Sequence, residues 1–347
     1  MLHFKAQGDR VISLSQREGT DINPYLKSQG IEAYSYLVKR PGGLFFFIRH
    51  IIYFIKFCKK QKVDYVFSHL DPANFVASIA QYFIRSKVFL NRHHIDEAAL
   101  YNFHSSVTYR ITNFLAKRII VVSKRAMQYM IEIEKVPARK LYHLNLAYDF
   151  SLFKMPDRKI VDEIRNQFGG GLLLLTACRL TKYKRPRLAV ELVSKLHSMG
   201  VPAKLLILGS GEMDKELGKD ILDRDLKDSV FLLGHLSNVL DYMEASNFVI
   251  HPSILESSCV VIKEAGLIRK PVIACESIGD FDDYIIDGSN GFLVDKDNFV
   301  DEAAEKIYNN YENHQLLAEM GNRLHEEVRS RFDVGSVSSQ LKLIMKS

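Results

Sequence analysis

Short apolar runs of four to seven residues alternate along the whole chain with longer segments whose apolar residues recur at helical spacing. The short runs are rich in Val, Ile, Leu, Phe and Tyr, which favours strands, and the longer segments suit crossover helices. This alternation predicts an α/β fold with parallel sheets covered by helices. The predicted strands lie at residues 10–15, 33–38, 63–69, 87–93, 118–123, 140–146, 172–178, 203–209, 230–234, 247–253, 271–275 and 291–294.

The alternation lapses over Asp149–Lys159, which we interpret as an interdomain linker. It predicts an N-terminal domain at 1–153, a C-terminal domain at 160–335 and a final helix at 336–347 that could pack back on the N-terminal domain. We expect two Rossmann-like, doubly wound domains that face a central cleft. In such sheets ligands bind beyond the carboxyl ends of the strands, so functional residues are expected there.

Composition supports a soluble protein with substantial cores, because 47% of the 347 residues are hydrophobic and 25% are charged. No run is long enough to span a bilayer, and the N-terminus does not resemble a signal peptide. The four cysteines are scattered without a C-x-x-C pair, which favours reduced thiols and argues against a zinc site.

Charge is distributed unevenly along the chain. Residues 1–150 carry 22 Lys/Arg against 11 Asp/Glu, a net +11, whereas residues 151–347 carry 25 against 30, a net −5, and the two sum to the formal +6. The basic half indicates an anionic partner, either membrane lipid or nucleic acid, or else a surface bias that only aids solubility.

A basic loop follows the predicted strand in "LLLLTACRLTKYKRP". Arg179, Lys184, Arg185 and Arg187 lie where a doubly wound domain holds a phosphate-bearing ligand, and Arg and Lys are the side chains that grip phosphate oxygens. The alternative is an ordinary solvated basic loop.

A glycine pair follows the next strand, in "AKLLILGSGEMDKEL". Gly209 and Gly211 are half of a dinucleotide fingerprint, but Asp214 occupies the third glycine position. The pair still allows backbone amides at a helix N-terminus to approach an anion. An NAD-dependent oxidoreductase would rest on these two glycines alone and is the least favoured interpretation.

Two carboxylates interrupt the small and apolar stretch "HPSILESSCVVIKEAGLIRKPVIA". A helix capped by Ser257 or Ser258 would leave Glu256 on the loop at its start and place Glu264 about two turns further along. The helix N-terminus between them would face phosphate. Alternatively, both acids lie on the solvent side of a helix.

Four of these stretches together resemble a known family. "ACRLTKYK", "LLILGSGEMDKEL", "VFLLGHLSNVLDYMEASNFVIHPSILESSCVVIKEAG" and "DDYIIDGSNGFLV" follow the order and spacing found in family 4 glycosyltransferases of the GT-B fold. The resemblance runs from about Asp9 to the C-terminus and is strongest from Leu172 to Val294. The family's first strand and Gly-rich loop are not matched, so we expect either a start upstream of Met1 or a shortened, impaired chain.

The resemblance implies a role for each matched position. The donor diphosphate would lie against Arg179 and Lys184 and against the segment Ser258, Cys259 and Val260, where the family usually has glycines. Glu264 would bind the ribose, and Glu256 would lie at the donor sugar. The remaining implied positions are Gly209, Gly211, Gly234 and His235 for the nucleoside, and His93 or, in second place, His94 near the reacting centre, unless that histidine is a neutral core residue.

The resemblance also implies the chemistry. The expected reaction is retaining transfer of a sugar from a nucleotide-sugar donor, UDP-linked in our prediction, to a glycan or lipid-linked acceptor in surface polysaccharide synthesis. We expect no cofactor and no metal, since cations and helix N-termini neutralise the leaving diphosphate; Asp223–Asp225 and Asp295–Asp297 are then surface loops. No nucleic-acid partner is expected. The alternative is an inactive homologue that binds a nucleotide sugar without turnover.

One further segment bears on location. "GGLFFFIRHIIYFIKFCKKQK" is very apolar, is interrupted by Arg49 and Lys56, and ends in Lys59, Lys60 and Lys62. It could form an interfacial helix on an anionic inner leaflet, or a buried helix with a basic end. We therefore expect a cytoplasmic protein. If the segment forms an interfacial helix, we expect the protein to be peripheral on the inner face of the cell membrane.

Overall fold

The computed structural model describes residues 1–15, 22–36, 44–93 and 103–347, and His94 lies outside these ranges. The described chain divides into two compact units. The first unit combines residues 1–147 with 334–347, and the second unit comprises residues 148–333.

The first unit contains helices and parallel strands with short connections. In chain order they are α1 (Leu2–Ala6), β1 (Ile12–Ser15), α2 (Ile22–Ser28), β2 (Glu32–Ser35), α3 (Leu44–Gln61), β3 (Tyr65–His69), α4 (Ala73–Ala80), β4 (Lys87–Arg92), α5 (Phe103–Leu115), β5 (Ile119–Val121), α6 (Lys124–Glu132), β6 (Leu141–His143) and, from the end of the chain, α15 (Val334–Lys346).

Its strands form two parallel ladders. β1 pairs with β2, and the other four strands follow the order β3-β4-β5-β6. Within the described ranges, no strand hydrogen-bonds to both ladders. The final helix α15 belongs to this unit because Val337 packs with Phe89, Ile120 and Leu144 on the four-stranded sheet.

Helix α3 presents a mixed face to solvent. Phe45, Ile48 and Ile52 are 79%, 42% and 48% exposed, and they continue at helical spacing into the exposed Lys56 and Lys59. The opposite face is covered, with Cys58 buried. Among the described residues, no helix is both long and apolar enough to cross a membrane.

The second unit carries the larger core. Its elements are α7 (Arg158–Phe168), β7 (Leu172–Ala177), α8 (Pro186–Ser198), β8 (Ala203–Leu208), α9 (Asp214–Asp223), β9 (Val230–Gly234), α10 (Val239–Ala245), β10 (Phe248–His251), α11 (Val260–Leu267), β11 (Val272–Cys275), α12 (Phe281–Tyr284), β12 (Phe292–Val294), α13 (Phe299–Asn310) and α14 (His314–Phe332).

Six parallel strands form one sheet in the order β12-β11-β10-β7-β8-β9. This is the doubly wound arrangement that the alternation predicted, and β7 and β10 flank the point where the strand order reverses. All six residues of β7 are buried, as a strand covered by helices on both faces requires. The twelve predicted strands are confirmed, with ends that differ by up to three residues.

The segment 149–159 is not a linker. Phe150 is buried in the core of the second unit, and the Asp157 carboxylate accepts from the Lys159 N–H to cap α7. Tyr148 bridges to Asp333, so the chain enters and leaves the second unit side by side. The pattern lapses here because a short 3₁₀ turn, Phe150–Leu152, buries one aromatic ring without a helical or strand period.

Candidate functional site

The carboxyl edge of the second sheet is built by loops that lie against one another. Gly209 N–H donates to the Gly234 carbonyl (2.7 Å), and Leu180 N–H donates to the Ser210 carbonyl (3.1 Å). A Cβ on Gly209 would lie 1.9 Å from the Cys178 oxygen, and one on Gly211 would lie 2.3 Å from the Leu180 oxygen. Both glycines therefore allow the loops after β7 and β8 to pack backbone to backbone.

Two of the four predicted phosphate-binding cations have structural partners instead. Arg185, whose φ is +48°, donates to the carbonyls of Pro252 (2.8 Å) and Lys296 (2.6 Å), which ties together the loops after β10 and β12. Arg187 pairs with Glu191 at 3.2 Å on the surface of α8. Arg185 and Arg187 therefore have roles inside the protein, which sequence spacing does not reveal because it does not show which carbonyls and carboxylates a guanidinium reaches.

Arg179 and Lys184 remain as the candidates for an anionic ligand. Arg179 is exposed immediately beyond β7, and within the described chain no hydrogen bond or ion pair is recorded for its guanidinium. Lys184 ends the 3₁₀ turn Lys182–Lys184 and contacts the Glu256 carboxylate. These two cations lie on one side of the reversal point of the sheet, and Glu256 lies on the loop after β10 on the other side.

Glu256 is held by two cations. Its Oε1 contacts the Lys184 ammonium and lies 2.6 Å from His251 Nε2. Burial opposes ionisation of Glu256, but the His251 imidazolium and the Lys184 ammonium outweigh it and lower the pKa of Glu256 to about 2. Burial likewise lowers the pKa of His251, but Cys259 and Glu256 outweigh burial and raise it to about 9. Glu256 is thus an oriented, ionised carboxylate.

Helix α11 begins at Val260 with an uncapped amino end. Cys259 is its N-cap residue and makes no side-chain cap bond, so the prediction of a Ser257 or Ser258 cap was wrong. The Ser258 hydroxyl is engaged elsewhere, because it donates to Asp280 Oδ2 at 2.7 Å. Among the described residues, no acceptor is recorded for the N–H groups of Cys259 and Val260. Free amides and the helix dipole make this end suited to an anion.

Glu264 lies on the same helix, four residues after its start. Burial raises the pKa of this half-buried carboxyl, and no cation opposes that rise. No hydrogen bond to its carboxylate is recorded within the described ranges. A carboxylate in such a position is unfavourable by itself and has unused capacity to accept hydrogen bonds from a ligand.

The remaining predicted positions lie on two different units. Gly234 has φ +70° at the end of β9, and His235 beside it is exposed. His93 follows β4 in the first unit, where its Nε2 lies 2.9 Å from His69 Nδ1. Burial, aided by His93, lowers the pKa of His69 to about 4, which keeps that ring neutral.

Several residues around α11 were missed by the sequence analysis. Lys263 and Asp280 form a buried ion pair, and Tyr148 lies against Ser258. The available signal was a lysine inside the apolar run Val260–Leu267, since a lysine with no access to solvent requires a partner. His251 was likewise visible in the sequence, but only the fold brings its ring to Glu256.

A hollow of about 740 Å³ lies at the opposite, amino edge of the sheet, lined by Arg165, Glu244 and Lys270 among others. Its cations have partners at the end of a helix: Arg165 donates to the Glu244 carbonyl (2.9 Å), and Lys270 lies 3.7 Å from the Glu244 carboxylate. This hollow is therefore explained by helix termination, and the carboxyl edge is the candidate site.

Comparisons with known proteins agree with this fold. Residues 157–328 match the family described as "Glycosyl transferases group 1". The capsular polysaccharide biosynthesis glycosyltransferase CapM of Staphylococcus aureus is 22% identical over 314 residues, 88% of this chain and 82% of CapM. A poly(ribitol-phosphate) alpha-N-acetylglucosaminyltransferase of S. aureus is 27% identical over 159 residues, and the match spans 46% of this chain but only 32% of that protein.

The fold is also that of solved glycosyltransferases. HepE of Anabaena, in complex with UDP, superposes with a TM-score of 0.82 and 19% identity, covering 97% of this chain and all of HepE. This likeness confirms the GT-B architecture of the fold. Residues 157–328 carry the domain described as group 1 glycosyl transferases, and α11 with its two carboxylates lies within that domain.

Proposed function

We propose that the chain transfers a sugar, with retention at the anomeric carbon, from a UDP-linked donor to a glycan or lipid-linked acceptor in surface polysaccharide synthesis. One observation carries the proposal: a single helix, α11, combines free amino-terminal amides with a half-buried carboxylate that no described residue hydrogen-bonds. An anion and a diol joined at a fixed distance, as in a nucleoside diphosphate, would satisfy both groups together.

The diphosphate is assigned to the cations and the helix start. Arg179 is exposed beyond β7, and the amides at Cys259 and Val260 face the same carboxyl edge. Lys184 would exchange its contact with Glu256 for the diphosphate, or share it. Charge develops on the leaving diphosphate as the sugar departs, so these preorganised groups lower the barrier without a metal in this proposal.

The two carboxylates take different roles. Glu264 accepts from the ribose hydroxyls, and Glu256, ionised and oriented by His251, faces hydroxyls of the donor sugar. We assign the nucleoside to the loops that carry Gly209, Gly211, Gly234 and His235. In the first unit, His93 stays the candidate catalytic residue, with its ring oriented by His69.

The substrate class is inferred from relatives. HepE binds UDP, the staphylococcal relative is named for transfer of N-acetylglucosamine to poly(ribitol-phosphate), and a Campylobacter jejuni relative is named for transfer to a diphospho-undecaprenol acceptor. These names favour a UDP-sugar and an anionic or lipid-linked glycan for this chain.

Helix α3 is suited to contact with a lipid surface, because it exposes apolar side chains on one face and ends in lysines. We therefore also propose peripheral attachment to the inner face of the membrane.

Two measurements test the proposal. Transfer is assayed with a panel of UDP- and GDP-sugars, and the affinity for UDP is measured by calorimetry. We expect transfer with a UDP-sugar, and a UDP affinity at least about tenfold weaker in Arg179→Met and Lys184→Met, each about 1.4 kcal/mol or more. Lys182→Met, an exposed lysine on the same turn, is the matched control and should bind UDP normally.

Two results would contradict the proposal. UDP binding without turnover of any donor would instead support the inactive homologue. Unchanged UDP affinity in both Arg179→Met and Lys184→Met would place the diphosphate elsewhere.

A further inference from the structure

Lys263 and Asp280 form an ion pair that is completely shielded from water. Lys263 Nζ lies 2.8 Å from Asp280 Oδ1 and 2.6 Å from Oδ2, and both side chains are 0% exposed. The ammonium also lies 4.6 Å and 4.5 Å from the ring centroids of Tyr284 and Phe332. Burying two charges carries a desolvation cost that their attraction only roughly offsets, so the pair is poorly explained by stability alone.

A hydrogen bond connects the pair to the candidate donor site. Ser258 donates its hydroxyl hydrogen to Asp280 Oδ2 at 2.7 Å. Ser258 lies in the turn between Glu256 and Cys259, where the amides that lead into α11 are presented. Tyr148 packs on the same hydroxyl: burial raises the pKa of Tyr148 to about 12, and its hydrogen-bond contact with Ser258 opposes that rise.

Lys263 is also next to Glu264 on the same helix. Its bidentate contact with Asp280 joins α11 to the loop after β11, so the helix that bears Glu264 and the turn that bears Ser258 are fixed to one carboxylate. Gly279, beside Asp280, has φ +58°, and a Cβ there would lie 2.9 Å from Glu256 Cβ. The loop around Asp280 therefore touches Glu256 as well.

We propose that Lys263 and Asp280 are positioning residues for the nucleotide donor, and that they act through the Ser258 hydroxyl on the turn leading into α11. This inference rests on the proposed function and adds to it the residues that hold the phosphate-facing amides in place. It assigns Ser258 an internal role, since its hydroxyl is directed to Asp280 and not to the ligand.

The experiment compares UDP binding and donor kinetics in Ser258→Ala, Ser258→Thr and the double variant Lys263→Met with Asp280→Leu. Replacing both partners of a buried ion pair with apolar residues is often tolerated by the fold, whereas removing one partner is not, so the double variant separates positioning from folding. Lys306→Met, which breaks a two-oxygen contact with Asp287 (2.9 and 2.8 Å) elsewhere in the unit, is the control.

We expect Ser258→Ala and the double variant each to raise the UDP dissociation constant and the donor KM about tenfold, with kcat changed less. Ser258→Thr keeps the hydroxyl and should bind UDP like the wild type. Adding Ser258→Ala to the double variant should cause no further loss, because both act through one hydrogen bond. Lys306→Met should leave UDP binding and the donor KM unchanged.

The inference is overturned if the folded double variant binds UDP normally, or if Ser258→Ala has no effect on the donor KM. Independent, additive losses would also contradict it. A wild-type protein that fails to bind UDP would overturn the proposed function and this inference together, whereas normal wild-type binding with silent variants would overturn the inference alone.

Discussion

Glu264 is the residue at which function and stability should oppose each other. Its carboxyl is half-buried, burial raises its pKa, and within the described chain no hydrogen bond to it is recorded. We expect Glu264→Gln to lower kcat/KM by roughly 10² to 10³-fold, because the amide reproduces the shape but not the charge offered to the ribose. The same change should raise the melting temperature at pH 7.5, since it removes an unpaired buried charge.

The pH dependence of this rise in melting temperature follows from the raised pKa of Glu264. The pKa of Glu264 is higher in the folded than in the unfolded protein. At a pH above the folded pKa, the ionised carboxylate therefore destabilises the fold. This destabilisation disappears as the pH falls below the unfolded pKa of about 4.3, where the group is protonated in both states. The melting temperatures of the wild type and Glu264→Gln should therefore converge near pH 4, as followed by calorimetry. A stabilising effect of Glu264 at pH 7.5 would show that the carboxylate has an internal partner.

At the scale of elements, the close approach of the loops after β7 and β8 depends on glycine. In Gly211→Ala the added methyl would lie 2.3 Å from the Leu180 carbonyl oxygen. Neither atom can rotate away, because the methyl carbon is bonded directly to the backbone and the oxygen is part of the backbone. We expect a loss of at least about 3 kcal/mol in the free energy of unfolding by urea, together with weaker UDP binding.

Gly218→Ala is the matched control for this prediction. Gly218 lies inside α9, and nothing lies within 4 Å of a Cβ placed there. Alanine should therefore stabilise the protein by about 0.5–1 kcal/mol through helix propensity. Equal tolerance of both substitutions would show that the loops are further apart than the structure places them.

The same elements show what a sequence pattern can predict. Period and composition predicted all twelve strands, because a buried parallel strand needs a continuous apolar run. The cap of α11 was wrongly predicted, since a serine at the right position can donate instead to a carboxylate 22 residues away. For the same reason, the roles of Arg185 and Lys263 could not be predicted: both depend on contacts between loops of different strands.

At the scale of the whole molecule, the first part of the chain combines a net positive charge with an exposed apolar helix face. Residues 1–150 carry a net +11, and α3 exposes Phe45, Ile48 and Ile52 above its lysines. This combination is typical of a helix that lies in a membrane interface, with apolar side chains among acyl chains and lysines near anionic headgroups.

We therefore expect the protein to bind vesicles that contain phosphatidylglycerol and to bind phosphatidylcholine vesicles weakly, with binding reduced by 0.5 M salt. Phe45→Ser combined with Ile52→Ser should lower vesicle binding at least about tenfold in a sedimentation assay, because two apolar anchors are lost. Leu222→Ser, which removes an apolar residue 66% exposed in the second unit, is the matched control and should bind normally. Equal losses in both variants would assign the effect to general surface hydrophobicity, and salt-insensitive binding would exclude the lysines of α3 as the contact with headgroups.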